Sequence, residues 1–196
     1  MSLDDNAPVP AGHPAIGVSL RIVDDQGHEV ACGETGELAV AGKHILAEYW
    51  NDPVATRDTL RDGWCMTGDL AYRDVRGLYY LVGRKKDMII SGGYNIYPKE
   101  VEDVLYQLDA VSECAVIGEA HPLWGEIVHA FVVAKPGMAL TEDAIVEHCK
   151  RLLADYKKPR RISVMSKLPL TANNKPDKKQ LRAMLAGTPH REGVSA

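Results

Sequence analysis

A polar tetrapeptide at residues 84–87, Arg-Lys-Lys-Asp, separates two segments whose hydrophobic patterns differ. Four consecutive charged residues are too polar to form a buried strand. Before them, short alternating segments bounded by glycines predict strands at 18–23, 36–42 and 77–83, with one helix opened by Pro53. After them, helical patterns appear. We therefore expect this chain of 196 residues to form two small units.

The segment after the tetrapeptide alternates between helix and strand patterns. A helix is predicted from Pro98, because apolar residues recur from Val101 at the i, i+3, i+4, i+7 spacing of an amphipathic helix. A second helix is predicted after Thr141, whose hydroxyl can cap it. Strands are predicted at residues 88–90, 114–118, 127–134 and 161–165. The expected fold class is α+β, with an all-β unit followed by an α+β unit that has a short sheet and two or three helices.

Composition excludes several classes of protein. The chain has no apolar run of 18 residues, so we expect no membrane span. Its first ten residues have neither the basic nor the apolar region of a secretory signal, which favours a cytoplasmic protein. The four cysteines are far apart and form no CxxC pair, so reduced thiols and no metal site are expected.

The charge is uneven along the chain. The net charge is −4, but residues 147–182 contain eleven lysines and arginines against three carboxylates. A basic segment of this kind suits an anionic ligand, although before any motif is considered a solvated basic face is the favoured explanation. Nucleic-acid binding is disfavoured, because no aromatic residues are interleaved with the basic ones and no recognition motif is present.

Four short stretches carry candidate chemistry. They are Gly-Trp-Cys-Met-Thr-Gly-Asp-Leu at 63–70, the long segment GRKKDMIISGGYNIYPKEVE at 83–102, Tyr-Lys-Lys-Pro at 156–159, and LPLTANNK at 168–175. Taken singly, each is a turn or a charged loop. Together and in this order they resemble the acyl-adenylate-forming (AMP-binding) superfamily, and the segment 83–102 is most similar to acid–CoA ligases.

The resemblance extends over nearly the whole chain but concerns only the C-terminal portion of such enzymes. It implies that residues 1–83 are the last, distorted barrel-like β subdomain of the large N-terminal domain. Residues 84–87 would be a hinge, 88–186 the mobile C-terminal domain and 187–196 a disordered tail. The phosphate loop and the acyl pocket of the family have no counterpart here, so we expect this chain alone to be inactive in adenylation.

The resemblance also implies roles for single residues. Asp69 would accept hydrogen bonds from the ribose hydroxyls of ATP, and Arg84 would reach the ribose or the phosphates. Lys86 falls at the hinge position, and Lys175 at that of the catalytic lysine, whose charge offsets the repulsion between carboxylate and α-phosphate. The family usually has glycine before this lysine. Here Asn174 stands there, and asparagine tolerates a left-handed backbone.

A second group of residues matches positions that handle coenzyme A in the family. Gly92 and Gly93 would line the pantetheine tunnel, and Trp124, Tyr156 and Lys158 would contact the CoA nucleotide. Simpler roles remain open for these residues and for those above. The glycines could form a tight hairpin turn, Arg84 a surface salt bridge, Asp69 a strand-end turn, and the lysines a solvated face.

The implied reaction joins a carboxylic acid to a thiol. Acid and ATP, accompanied by Mg²⁺, would give an acyl-adenylate, which CoA would convert to acyl-CoA and AMP. A carrier-protein thiol is the alternative acceptor. A different class of function is a free-standing, non-enzymatic module that binds a nucleotide, CoA or a large partner domain. The sequence does not identify the acid.

Overall fold

A computed structural model describes residues 9–186. The contacts divide the chain into two compact units, Met1–Lys86 and Asp87–Ala196, called here the first and the second unit. The tail expected at 187–196 lies outside the described residues.

The first unit is built on an antiparallel sheet. Its strands are β1 (Val18–Val23), β2 (Gly36–Gly42), β3 (Leu60–Arg61), β4 (Trp64–Arg73) and β5 (Tyr79–Arg84), and its helix is α1 (Pro53–Thr59). The strand order is β1-β2-β4-β3, and β5 also pairs with β4. Register shifts interrupt β2 between Glu37 and Ala39, and β4 between Leu70 and Ala71. Such bulges bend and twist the strands, so the sheet curls.

Helix α1 begins where its sequence dictates. Pro53 occupies the first turn, where its missing N–H costs no hydrogen bond, and the Asp52 carboxylate accepts a hydrogen bond from the Ala55 N–H at 2.9 Å. None of its residues is buried. The helix therefore adds little to the core of the first unit.

The second unit combines a five-stranded sheet with three helices. Its strands are β6 (Ile89–Ser91), β7 (Tyr94–Ile96), β8 (Val111–His121), β9 (Gly125–Ala134) and β10 (Arg161–Met165), and its helices are α2 (Pro98–Leu105), α3 (Glu142–Leu152) and α4 (Lys178–Ala186). Short 3-10 helices span Lys85–Asp87, at the boundary of the units, and Asp155–Lys157. Strand β9 lies between β8, antiparallel to it, and β10, parallel to it.

Both faces of the β8–β9 pair are buried. The even-numbered side chains of β8 and β9, among them Val116 and Val132, pack with α2 and α3, where Leu105 and Ile145 are fully buried. The odd-numbered side chains, such as Ile117 and Phe131, pack with Leu181 of α4 on the opposite face. Burial on both faces explains why residues 114–118 and 127–134 read as mainly apolar runs.

The expected fold class is confirmed. Strands β1, β2 and β10 have the predicted bounds, and α2 and α3 begin at the predicted residues. Strands β3, β4 and β7 and helix α4 were not predicted. Among residues 9–186, no helix has the length and apolarity required to cross a membrane.

Candidate functional site

Asp69 and Arg84 lie opposite each other on β4 and β5. The Arg84 Nε donates to the Asp69 Oδ1 at 2.9 Å, and the Arg84 guanidinium also donates through Nη1 to the Thr67 carbonyl at 3.0 Å. Asp69 is therefore a strand residue, not the strand-end turn that remained open. The pair is half-exposed and presents a carboxylate beside a fork of N–H donors.

The backbone beneath this pair is fixed by Glu37 of β2. The Glu37 Oε1 accepts a hydrogen bond from the Gly68 N–H at 3.1 Å, and its Oε2 accepts one from the Lys85 Nζ at 2.9 Å. Gly68 has φ +71°, a left-handed conformation that glycine adopts without strain. The Glu37 carboxylate thus holds the Thr67-Gly68-Asp69 segment in place.

Gly92 and Gly93 form the two-residue turn of the β6–β7 hairpin, in which Ser91 pairs with Tyr94. Both have left-handed φ values, +56° and +85°, as a type I′ turn requires. The Gly92 N–H donates to the Trp124 carbonyl at 2.9 Å, and a Cβ on Gly92 would lie only 2.8 Å from the indole ring of Trp124. The turn is thus packed directly under an aromatic side chain.

An aromatic and cationic surface continues from this turn. The ring of Tyr94 stacks on that of Tyr156 with 4.5 Å between centroids, and the Arg160 guanidinium lies 4.8 Å above the Trp124 ring. Lys158 pairs with Asp155. The side chains of Trp124, Tyr94 and Tyr156 are each 39–57% exposed.

Two of the basic residues near this surface are engaged elsewhere. Lys157 donates to the Glu100 carboxylate at 2.6 Å. Arg161 pairs with the buried Glu119 at 2.5 Å. Lys158 also has a carboxylate partner, the exposed Asp155, so among residues 9–186 Arg160 is the cation of 157–161 without an ion pair.

Lys175 lies on a tight turn between β10 and α4. The Thr171 N–H donates to the Lys175 carbonyl at 2.8 Å, and the Asn174 N–H donates to the Thr171 carbonyl at 3.0 Å. Asn174 has φ +59°, the left-handed conformation that its place before the lysine predicts. Among residues 9–186, the Lys175 Nζ has no hydrogen-bond or ion-pair partner, and the residue is exposed.

A separate polar cluster is buried beside α4 in the second unit. The Glu119 carboxylate lies 2.8 Å from the Nδ1 of His129, and the Nε2 of His129 lies 2.9 Å from the Ser163 hydroxyl. Burial lowers the pKa of His129, so the ring is neutral and donates from Nδ1 to the carboxylate. The Arg161 guanidinium pairs with the buried Glu119 carboxylate and balances its negative charge.

The structure brings the expected residues together in groups. Asp69 joins Arg84 in the first unit, and Gly92 joins Trp124 in the second. Within the described part of the second unit, no hydrogen bond or ion pair links Lys175 to Gly92 or Trp124.

Sequence reasoning missed Glu37, Lys85 and Tyr94. Glu37 and Lys85 meet through a tertiary contact across 48 positions. The signal that could have identified Tyr94 is its position directly after the glycine pair, where a hairpin turn brings aromatic side chains to one edge.

Residues 100–175 match the family described as AMP-binding enzyme C-terminal domain. The chain is similar to the C-terminal portion of AMP-binding enzymes. It is 42% identical to the indoleacetate–CoA ligase of Aromatoleum aromaticum over 90% of this chain and 34% of the relative. It is 41% identical to a medium/long-chain-fatty-acid–CoA ligase of Mycobacterium tuberculosis over 92% of this chain and 33% of the relative.

Two solved structures show the same fold. The ATP-bound MatB of Rhodopseudomonas palustris matches 91% of this chain and 36% of its own, with a TM-score of 0.85 and 35% identity. The o-succinylbenzoate CoA synthetase of Bacillus subtilis, in complex with its acyl-adenylate intermediate, matches 93% of this chain and 36% of its own, with a TM-score of 0.83 and 37% identity. The chain spans about a third of the length of the relatives it matches.

Proposed function

We propose that this chain is the C-terminal portion of an ATP-dependent acid–CoA ligase. The parent enzyme would activate a carboxylic acid as its acyl-adenylate and then transfer the acyl group to the CoA thiol. The observation that carries the proposal is Lys175, an unpaired cation on a turn fixed by hydrogen bonds and by the left-handed Asn174.

The first half of the reaction needs a positive charge between two anions. A carboxylate approaching the α-phosphate of ATP is repelled, and negative charge grows in the transition state. An ammonium group without a competing carboxylate partner is free to offset both effects. The Lys175 Nζ meets that requirement, since its backbone is held while its side chain extends into solvent.

Nucleotide recognition is assigned to Asp69 and Arg84. Asp69 uses Oδ1 for Arg84, and its second oxygen has no partner among the described residues. That oxygen can accept a hydrogen bond from a ribose hydroxyl, while the Arg84 guanidinium retains donors for the ribose or a phosphate. Mg²⁺ would arrive with ATP, and none of the residues described here is assigned to it.

The second half of the reaction is assigned to the surface around Gly92. Nothing lies within 4 Å of a Cβ position at Gly93, so a thin pantetheine arm can pass close to the backbone there, whereas at Gly92 the corresponding space holds the Trp124 ring. The partly exposed aromatic side chains of Trp124 and Tyr156 suit an adenine, and Lys158 suits a phosphate. A carrier-protein thiol is the alternative acceptor, because it presents the same pantetheine arm without the nucleotide.

A non-enzymatic module that binds AMP or CoA is the competing function. Calorimetry with the 196-residue chain separates the two ligands. Binding of CoA that is weakened by Trp124→Ala, but not by Trp50→Ala at an exposed position of the first unit, would support the acceptor surface. Absence of any CoA binding would favour the carrier protein.

Catalysis is tested in a chimera in which this chain replaces the matching segment of a relative. The reaction of ATP with a panel of acids is followed by pyrophosphate release. We expect Lys175→Ala to lower the rate of adenylation about 10²–10³-fold, as the loss of a transition-state charge partner does elsewhere. Lys167→Ala, at a nearby exposed lysine, is the matched control. An unchanged rate in Lys175→Ala would refute the proposal.

A further inference from the structure

A glutamate, a histidine and a serine on three neighbouring strands of the second unit form a chain of hydrogen bonds that the proposed function does not use. Glu119 lies in β8, His129 in β9 and Ser163 in β10. The Glu119 Oε2 lies 2.8 Å from the His129 Nδ1, and the His129 Nε2 lies 2.9 Å from the Ser163 Oγ. A carboxylate, an imidazole and a hydroxyl joined in this order can activate the serine oxygen as a nucleophile.

The imidazole of this chain is in the form that a general base requires. The side chains of His129 and Glu119 are only 4% and 7% exposed. This burial lowers the pKa of His129, so the ring is neutral near pH 7. A neutral ring that donates from Nδ1 to Glu119 has its lone pair on Nε2, where it can accept the Ser163 proton.

The orientation of the ring is fixed from two sides. The Phe131 ring stacks on that of His129 with 4.2 Å between centroids and 14° between planes. The Glu119 carboxylate is itself held, because its Oε1 accepts a hydrogen bond from the Arg161 Nη1 at 2.5 Å while Oε2 faces the imidazole. The base and the hydroxyl are therefore aligned before any substrate arrives.

Ser163 is the end of the chain that a substrate can approach. It is half-buried, whereas Glu119 and His129 are buried. Within residues 9–186, β10 pairs with β9 alone and so forms an edge of the sheet. Alternate backbone N–H groups of an edge strand point away from the sheet, so one of them belongs to Ser163 or to Val164. An N–H group in that position can donate to the oxyanion that forms when the serine is acylated.

The side chains beside Ser163 are apolar. Met165 lies two residues further along β10 and hence on the same face of the sheet. It packs, together with Leu185 of α4, against a cluster that contains Phe131, and both Met165 and Leu185 are only partly buried. An apolar surrounding of this kind suits a short aliphatic acyl group.

We propose that Glu119, His129 and Ser163 form a second catalytic site, which hydrolyses esters of short-chain carboxylic acids through an acyl-serine intermediate. The Ser163 Oγ attacks the acyl carbon while its proton passes to the His129 Nε2. The bond between the acyl carbon and the alcohol oxygen breaks, and His129 returns the proton to the departing alcohol. Water then attacks the acyl-serine by the same route, which releases the acid and restores the hydroxyl. Glu119 is a positioning residue, since it acts through the imidazole ring.

Covalent labelling of the 196-residue chain tests the nucleophile directly. Diisopropyl fluorophosphate reacts with activated serine hydroxyls, and mass spectrometry of the digested chain locates the label. We expect the label at Ser163, its loss in Ser163→Ala, and its retention at Ser163 in Ser166→Ala. Ser166 is the matched control, because it is an exposed serine three residues further along the chain. Absence of label from Ser163 in the wild type would overturn the proposal.

Hydrolysis of p-nitrophenyl acetate tests turnover. We expect Ser163→Ala to reduce the rate to that of the ester in buffer, and His129→Gln to lower kcat about 10²–10⁴-fold. Glu119→Gln should lower kcat and leave KM unchanged, because its side chain orients the base and does not touch the ester. Circular dichroism shows whether each variant is folded. If the His129 or Glu119 variant unfolds, labelling of the wild type and the rate of Ser163→Ala decide the matter.

A wild-type rate in Ser163→Ala, or an equal loss in Ser166→Ala, would refute the second site. The assay contains neither ATP nor CoA, so its outcome is independent of the proposed ligase reaction. A chain that hydrolyses the ester, in a chimera that Lys175→Ala leaves unaffected, would keep this site and refute the proposed function. A chain without label at Ser163, in a chimera that depends on Lys175, would do the reverse.

Discussion

The two units bury their sheets to different degrees. The second unit covers both faces of β8 and β9, with α2 and α3 on one side and α4 on the other. Among residues 9–86, the hydrophobic cluster of the first unit has three buried members, Ile22, Ala71 and Tyr79. The first unit leaves large apolar side chains such as Trp50 and Val75 exposed, at 87% and 93%. Since a sheet is stable only when its apolar face is covered, the second unit has the more self-sufficient core.

The largest expected effect comes from separating the units. We expect residues 87–186 alone to unfold cooperatively, because their core is complete. Residues 9–86 alone should lack a cooperative transition, because their sheet buries few side chains. Circular dichroism during thermal unfolding and the dispersion of amide NMR signals measure both. A cooperative transition of the first segment, matching that of the second, would remove the contrast.

Matched truncations sharpen the same contrast. Leu105→Ala, at a fully buried position of α2, should lower the free energy of unfolding by about 2–5 kcal/mol. Leu38→Ala, at a half-buried position of β2, should cost about 1 kcal/mol, since less apolar area is lost. Native-state hydrogen exchange in each unit gives the two values separately. Equal costs would show that the first unit packs as tightly as the second.

The glycine pair offers a smaller test within the second unit. Both Gly92→Ala and Gly93→Ala place a Cβ in the left-handed region, which costs about 1–2 kcal/mol. Only Gly92→Ala also meets the Trp124 ring, since nothing lies within 4 Å of a Cβ on Gly93. We therefore expect a larger loss of stability and a shifted Trp124 fluorescence in Gly92→Ala alone. A spectrum shifted equally in Gly93→Ala would contradict the close approach.

The smallest expected effect is a difference in pH dependence. Burial lowers the pKa of His129 from 6.5, so the unfolded chain binds the proton more tightly than the folded one. The stability that this neutral ring contributes is present above about pH 6.5 and is lost as the pH falls below it. The histidines of the first unit are exposed, so none of them is buried as His129 is.

Denaturant unfolding of the second unit at pH 7.5 and pH 5 measures this effect. His129→Gln removes the titrating ring and should reduce the difference between the two pH values. A difference that is equally large in His129→Gln would assign the pH dependence to other groups.

Sequence patterns predicted elements whose signal is local. Strands β1, β2 and β10 either alternate apolar and polar residues or are mainly apolar, and turn-forming or polar residues flank them. Their bounds could therefore be predicted from the sequence. Strand β4 was missed because Thr67-Gly68-Asp69 reads as a turn, although its backbone continues through a bulge. Helix α4 was missed because much of its sequence is polar, and it is held mainly by the buried Leu181.

The candidate site divides in the same way. Lys175 and Asp69 lie in short stretches whose order along the chain resembles that of a known family. The left-handed backbone of Asn174 agrees with the tolerance of asparagine for that conformation. The hydrogen bonds of Lys85 with Glu37 and of Asp87 with Arg182 could not be predicted from the sequence. The partners lie 48 and 95 positions apart, and only the tertiary fold brings them together. Contacts of this kind leave no periodicity in the sequence.

The parallel pairing of β10 with β9 has a consequence for how the chain acquires its structure. The two strands are connected through α3, so a long loop must close before they can pair. During synthesis, β9 is complete some thirty residues before the last residue of β10 has been added. Throughout that interval the valine-rich strand β9 has an edge that offers unpaired N–H and C=O groups to any other extended chain. Newly made molecules are therefore most prone to aggregate at the stage when α3 has emerged and β10 has not.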